Sequence, residues 1–417
     1  MSVVRLALAG AGGRGTHYTN WVLEHPELAR VVAIAEPRDR VRKEFAKRHG
    51  IPDEHCFTSW EEMADAGRIA DAVLICTQDR MHTEPAMAFA GAGWHVLLEK
   101  PMAPTAEECE RIVAAARSGG GIFAVCHVLR YTPYTKALKG ILDSGTIGDI
   151  ITVQHLEPVG YWHFAHSYVR GPWRNEAESS PMLLAKSCHD LDWLRHIVGK
   201  PLTKVSSFGN LRHFRTENAP EGSTERCVSC AAEPGCAYSA TKIYGKSLEQ
   251  PTFALRHVLE VIDEPHLDKA MQDGPYGKCV YRTDNDVVDH QVVNMEFGGG
   301  ATGTFTVTAF TPMEDRKTRI FGSQGMIEGD GEEIRVFDFN TEKTVMTKIR
   351  TRYGVGAGAG HGGGDAGLIE AFVRAVADGD QSLVLSGPDE SLETHLAVFA
   401  AERARMNDTV ERVETGS

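Results

Sequence analysis

Residues 3–15 read Val-Val-Arg-Leu-Ala-Leu-Ala-Gly-Ala-Gly-Gly-Arg-Gly. Val3 to Ala9 is a short apolar run suited to a buried strand, and Tyr18–Leu23 beyond the glycines is helix-like. Gly10, Gly12 and Gly15 stand between them in the spacing G-x-G-x-x-G. In such a turn the first glycine permits the tight bend, the second lets a pyrophosphate approach the backbone, and the third lets helix and strand pack closely. The helix N-terminus then faces the phosphates. Alone the motif is weak, because glycine-rich turns are common.

Further along, Val31–Ala35, Ala72–Cys76, Trp94–Leu98 and Ile122–Cys126 repeat the short apolar run. Helix-like stretches separate them at Arg40–His49, Glu84–Ala92 and Ala106–Arg117. Short apolar strands alternating with helices predict a doubly wound parallel sheet of the Rossmann type, ending near residue 128. Glu36 closes the second strand 21 residues past Gly15. A carboxylate there can accept bonds from both adenosine ribose hydroxyls and repels a 2′-phosphate, which favours NAD over NADP. The plainer alternative is a solvated residue at a strand end. Arg38 close by pulls the other way, since arginine can hold a 2′-phosphate.

Beyond residue 128 the pattern changes. Ile150–His155, Lys204–Gly209, Val287–Phe297 and Thr302–Phe310 read as longer, partly alternating strands. They predict a second α/β domain over 129–417 with a large open, mostly antiparallel sheet covered on one face by helices. A polar, cysteine-bearing insertion spans about 210–283, the glycine-rich stretch 354–364 is a loop, and two helices end the chain. In the first of these, Leu368, Ile369, Phe372, Val373 and Val376 form one apolar stripe.

Glu99-Lys100-Pro101 follows the fourth clear strand of the first domain. With the glycine turn, Asp71–Thr77 and the following His82, and Ser144-Gly145-Thr146-Ile147-Gly148, it resembles the glucose–fructose oxidoreductase/inositol dehydrogenase (Gfo/Idh/MocA) family. The resemblance implies an NAD-dependent oxidoreductase acting on a sugar or polyol, with an open sheet that often serves homo-oligomer contacts, as in a dimer or tetramer. Gly13, Arg14, Thr77, Gln78, His82 and Glu99 join the expected cofactor-binding set. Lys100 is the expected catalytic group, holding the substrate hydroxyl and helping move its proton; the alternative is a surface lysine paired with Glu99. A cis peptide at Lys100–Pro101 is also implied.

The family's second-domain run, Asp-x-x-x-His-x-x-Asp, meets Ala185, His189 and Asp192 here, with Lys186 beside the missing first carboxylate. His189 is therefore the second acid/base candidate, since imidazole exchanges protons near neutrality; a helix-face histidine is the alternative. Arg130, Tyr131 and Asp192 are expected at the substrate. The segment Tyr161–Arg174 is rich in aromatic and basic groups. Trp162, His163, His166 and Trp173 suit the faces and hydroxyls of a sugar ring, while Arg170, Arg174 and Lys186 suit an anionic group. Alternatively these arginines pair with Glu157, Glu176 or Glu178.

The altered motif leaves a second enzymatic reading open: a redox-neutral NAD-dependent glycosidase, such as a sulfoquinovosidase, that oxidises a sugar transiently, eliminates, hydrates and returns the hydride. A third is a non-catalytic NAD(H)-responsive binding protein.

Cys227-x2-Cys230-x5-Cys236, with Cys279 43 residues later, is a candidate structural zinc site; free thiols are the alternative. The formal net charge of −13 argues against nucleic-acid and anionic-membrane partners. The absence of a leader-like or spanning apolar run, with nine cysteines scattered partly in strands, reads as cytoplasmic.

Overall fold

The computed structural model describes residues 3–350 and 361–414. Most of the stretch expected as a glycine-rich loop at 354–364 lies outside them.

The first sheet contains β1 (Val4–Ala9), β2 (Ala29–Ala35), β3 (Cys56–Phe57), β4 (Ala72–Ile75), β5 (His95–Leu98) and β6 (Phe123–Val125) in the order β3-β2-β1-β4-β5-β6. Every neighbouring pair is parallel. Successive side chains of β1 enter opposite cores: Leu6 and Leu8 on one side, Ala7 and Ala9 on the other. Burial on both faces explains why these strands read as unbroken apolar runs. In helix Ala106–Gly119, Thr105 accepts the Glu108 N–H at the start, Gly120 turns left-handed at the end, and Cys109, Ile112, Val113 and Ala116 form the buried stripe. The strand order reverses at β1/β4, where such sheets bind ligands beyond the strand C-termini. β3 and the helix Trp60–Asp65 escaped the sequence reading because they are too short to show a period.

The second sheet contains β7 (Ile150–Pro158), β8 (Leu202–Asn210), β9 (His290–Phe297), β10 (Thr302–Thr308), β11 (Lys317–Gly322), β12 (Gly325–Gly329), β13 (Glu333–Asp338), β14 (Lys343–Lys348) and β15 (Val410–Arg412). Their order is β14-β13-β12-β11-β7-β10-β9-β8-β15. Only β7 and β10 run parallel. Helices Cys188–Val198 and Pro388–Asn407 cover one face, burying Leu191, Leu194, Ala397 and Ala401 with Val153, Val293 and Phe305. The opposite face forms a broad polar groove of about 610 Å³ lined by Gln154, Thr304, Thr306, Arg319 and Glu328 among others.

The C-terminal helix Gly364–Asp378 crosses the expected division at residue 128. Its stripe of Leu368, Ile369, Phe372 and Val373 packs with Leu6, Leu8 and Val128 against the first sheet. Nor is the insertion without a core of its own: Tyr244, Leu255, Leu259, Leu267 and Met271 gather on helices Ala240–Gly245, Phe253–Val258 and Glu264–Asp273. No helix among the described residues is long and apolar enough to cross a membrane.

Candidate active site

The glycine turn has the shape its spacing predicts. Gly10 adopts φ +94°, and a Cβ there would stand 2.6 Å from the Cys76 carbonyl oxygen. A Cβ at Gly15 would meet the Gly10 carbonyl oxygen at 2.3 Å, so helix Gly13–Glu24 lies hard against the turn. At Gly12 the same construction meets nothing within 4 Å, leaving room for an approaching group. Glu36 is buried at the end of β2. Its Oε2 accepts the Ala11 N–H (2.9 Å), and its Oε1 accepts the Arg38 N–H and Nε (3.0 and 2.7 Å). Burial alone would raise its pKa, but these hydrogen bonds and the guanidinium charge hold it below the usual carboxylate range. A cradle open at Gly12, a helix N-terminus and an ionised carboxylate at the β2 end together fit a nicotinamide dinucleotide.

Arg14 does not point out of this turn. Its guanidinium turns inward to Glu99 (2.8 Å), Asp365 (2.6 Å) and the Tyr18 hydroxyl (2.5 Å). Tyr18 in turn donates to Glu99 (2.7 Å). Gly363 is the N-cap of helix Gly364–Asp378, and Asp365 in its first turn collects Arg14, His17 (3.2 Å) and His361 (3.1 Å). Burial would raise the pKa of both carboxyls. For Glu99 the charges of Arg14 and Lys100 prevail, and for Asp365 those of His361 and Arg14, so both are held down.

Lys100 follows Glu99 at the C-terminal end of β5, and the Lys100–Pro101 bond is cis. His82 sits between the Pro101 and Thr77 carbonyls (2.7 and 3.1 Å), joining the loop after β4 to this turn. Thr77 donates its hydroxyl to the Met81 carbonyl, and Gln78 stands at the N-cap of the short helical turn Asp79–Met81. The Lys100 ammonium donates to the Ala185 carbonyl (2.8 Å), so the first domain's signature lysine meets the altered motif of the second. His189, at the start of helix Cys188–Val198, is buried, and its Nδ1 has no hydrogen-bond partner.

The sequence reading missed His127. It is buried, with neither ring nitrogen hydrogen-bonded, its Nε2 3.6 Å from Asp192 and its ring 6.0 Å from that of His189. A signal existed: His127 stands just past β6, as Thr77 stands past β4 and Glu99 past β5, at the strand ends where these folds work. Burial is the main force pushing both imidazoles well below their ordinary pKa; positive charge nearby, from Lys100 among others, adds to it. Both are neutral at pH 7, and a neutral imidazole can accept a proton.

Several expected substrate contacts are committed elsewhere. Arg130 forms a buried bidentate pair with Asp192 (2.8 Å for each bond) and also reaches Glu390. The Tyr131 hydroxyl accepts the Leu385 and Ser386 N–H groups (2.9 and 3.0 Å). These residues bind helix Pro388–Asn407 and its approach to the core. Arg170 donates to the Lys278 and Tyr238 carbonyls (2.7 and 2.8 Å), pinning the insertion. Arg174 pairs with Asp284 (2.8 Å) and Glu178 (2.9 Å), and Lys186 pairs with Glu157 (3.1 Å). The ion-paired alternative thus describes Arg174, and Lys186 is neutralised in the same way without having been foreseen. His166 bonds the Tyr244 hydroxyl (2.8 Å) and stacks on Tyr276, while Trp162 and His163 pack on Phe253. Trp173 donates to Asp79 (3.2 Å). Much of the aromatic wall therefore joins the insertion and the two domains, for a buried ring gains more from packing than from facing water.

A carboxylate network unforeseen from sequence begins at Asp190, next to His189. Asp190 accepts from His155 (3.2 Å) and Arg316, and Arg316 also reaches Glu157 (2.9 Å). Among the described residues no group of three or more His, Cys, Asp or Glu side chains is disposed to hold a metal ion, so the expected zinc has no ready-made ligand set.

Residues 4–127 match the family model described as an oxidoreductase family with an NAD-binding Rossmann fold, and residues 139–384 match its C-terminal alpha/beta domain. Bacillus subtilis YteT, described as an oxidoreductase, is 24% identical over 79% of this chain and 77% of its own length. The inositol 2-dehydrogenase of Streptomyces avermitilis is 32% identical over 52% of this chain, a match spanning 59% of that relative. Among solved structures, a levoglucosan dehydrogenase in complex with NADH and levoglucosan superposes with a TM-score of 0.70 at 20% identity, covering all of both chains.

Proposed function

The chain belongs to the Gfo/Idh/MocA oxidoreductase family, and from that footing we propose that it transfers hydride between NAD and a ring hydroxyl of a sugar or sugar derivative. One observation carries the reading: the Lys100 ammonium is bonded to Ala185 four residues before His189, whose Nδ1 has no hydrogen-bond partner and whose ring lies 6.0 Å from that of His127. The glycine turn and Glu36 hold the dinucleotide, which supplies the hydride acceptor or donor. Lys100 holds the substrate hydroxyl and takes part in moving its proton, with His189 as proton acceptor and His127 beside it. Arg14, Tyr18 and Asp365 fix Glu99, and through it the Lys100 backbone, whose N–H donates to Glu99 Oε2 (2.8 Å). Because Arg174 and Lys186 already face carboxylates, neutral hydroxyls suit the site better than an anionic group. The reading includes a homo-oligomer joined through the open face of the second sheet.

The test is NADH formation with NAD and a panel of neutral and acidic sugars, polyols and chromogenic glycosides. Steady NADH accumulation supports a dehydrogenase. Aglycone release with constant NADH selects the redox-neutral glycosidase instead. Neither signal across the panel, with NAD bound by calorimetry, favours a binding protein.

Two further outcomes are expected. Glu36→Ala removes charge-assisted bonds worth about 1.5–3 kcal/mol, so NAD affinity should fall about 10- to 150-fold while NADP affinity falls less, because Arg38 is released. Parallel calorimetric titrations check it. Secondly, the depressed pKa of His189 keeps its base form populated through pH 6–8. The acid limb of kcat/KM for oxidation should therefore lie well below pH 6.5; a limb at an ordinary histidine value would remove His189 as the proton acceptor.

A further inference from the structure

Four of the nine cysteines, outside the junction just described, come together in the insertion. Cys227, Cys230, Cys236 and Cys279 line one cavity of about 20 Å³, room for about one water-sized sphere. Chain pairing brings the distant member in: Arg226 and Lys278 form an antiparallel bridge, and the Cys279 N–H donates to the Glu225 carbonyl (2.9 Å). Donors are aimed at the sulfurs. The Ala240 N–H (3.4 Å) and the buried Arg170 guanidinium (3.6 Å) reach Cys227 Sγ. The Tyr238 and Tyr281 backbones, each two residues on, favour the thiolates of Cys236 and Cys279. N–H groups converging on sulfur stabilise thiolate rather than thiol.

We propose that this cavity is a structural binding site for one zinc ion, held by the thiolates of Cys227, Cys230, Cys236 and Cys279. Four cysteines lining one small cavity supply the donor set of a closed tetrahedral zinc site, with no open position for catalysis. Each zinc–sulfur bond forms as one thiol proton leaves for solvent, and no sulfur is oxidised. The sulfurs do not yet stand in a metal-holding array, so uptake draws them inward over the cavity. The insertion also reaches the first domain, through Arg40–Glu260 (3.0 Å) and His257, whose Nε2 lies 3.7 Å from a Cβ built at Gly13. A metal staple would therefore firm a segment lying against the dinucleotide turn.

The test uses the full reduced chain, purified without added metal. Elemental analysis should find one zinc per chain. After chelation and titration with cobalt(II), intense sulfur-to-cobalt charge-transfer absorption should saturate at one equivalent. Cys230→Ser and Cys236→Ser should each abolish or strongly weaken that absorption, and Cys56→Ser, outside the cluster, should leave it intact. If either variant fails to fold, thiol titration of the native chain decides: chelation should expose four additional fast-reacting thiols. Absence of cobalt charge transfer in the native chain, an unchanged spectrum in Cys230→Ser, or thiol reactivity indifferent to zinc would overturn the proposal. None of these readouts depends on turnover, so the site can fail while the hydride-transfer reading stands, and the reverse.

Discussion

Lys100→Ala should lower turnover by roughly 10²–10⁴ while leaving the protein folded and NAD-binding. The ammonium contributes one hydrogen bond to the fold, to the Ala185 carbonyl, worth only about 1 kcal/mol net. The cofactor cradle is built from other groups: the glycine turn, Glu36 and the helix N-terminus. The loss should therefore appear in kcat, with NAD affinity by calorimetry and the unfolding midpoint changed little. Lys100→Met, which keeps the stem and removes the charge, should be equally inactive. Wild-type turnover in either variant would take Lys100 out of the chemistry. The same loss accompanied by collapse of the unfolding midpoint would assign the lysine a structural role.

Arg130→Ala should cost stability, about 3–5 kcal/mol, read as a lowered urea midpoint. Asp192, with a side chain 1% exposed, is held by the two guanidinium bonds of Arg130. Removing the arginine leaves a buried carboxylate with the Thr394 hydroxyl (3.3 Å) as its remaining hydrogen bond and His127 at 3.6 Å. Glu390 and the Leu385 carbonyl lose a donor as well. Replacing both members together, Arg130→Met with Asp192→Leu, should recover much of the loss, because the penalty of burying an unpaired charge disappears with the charge. Were Arg130 instead a substrate anchor, the single replacement would raise KM and leave the midpoint in place.

The contrast between these two residues marks how far the sequence is legible. Lys100 sits in a local pattern: an apolar strand, an acid, a lysine and a proline, with the glycine turn upstream. Arg130 and Asp192 are 62 residues apart and Arg130 and Glu390 260 apart, so nothing near either residue announces the pair. The same holds for Lys186 with Glu157 and for Arg174 with Asp284. Each cation looks free along the chain and is neutralised in space. β14 went unread for a related reason: it is exposed along its length, and such a strand is specified by its partner rather than by an apolar face.

By itself the sequence determined the parallel sheet, the positive-φ turn at Gly10 and the carboxylate closing β2, while the lysine beyond β5 stood out through the family resemblance. The sheet, turn and carboxylate follow from backbone sterics and from burial periodicity, which act over a few neighbouring residues. Only the tertiary structure decided that His127 faces His189, that Asp365 rather than solvent receives Arg14, that the helix Gly364–Asp378 returns to the first sheet, and that Cys279 joins the other three cysteines. Charge pairing and burial are properties of what surrounds a group in three dimensions, and chain separation carries almost no information about that.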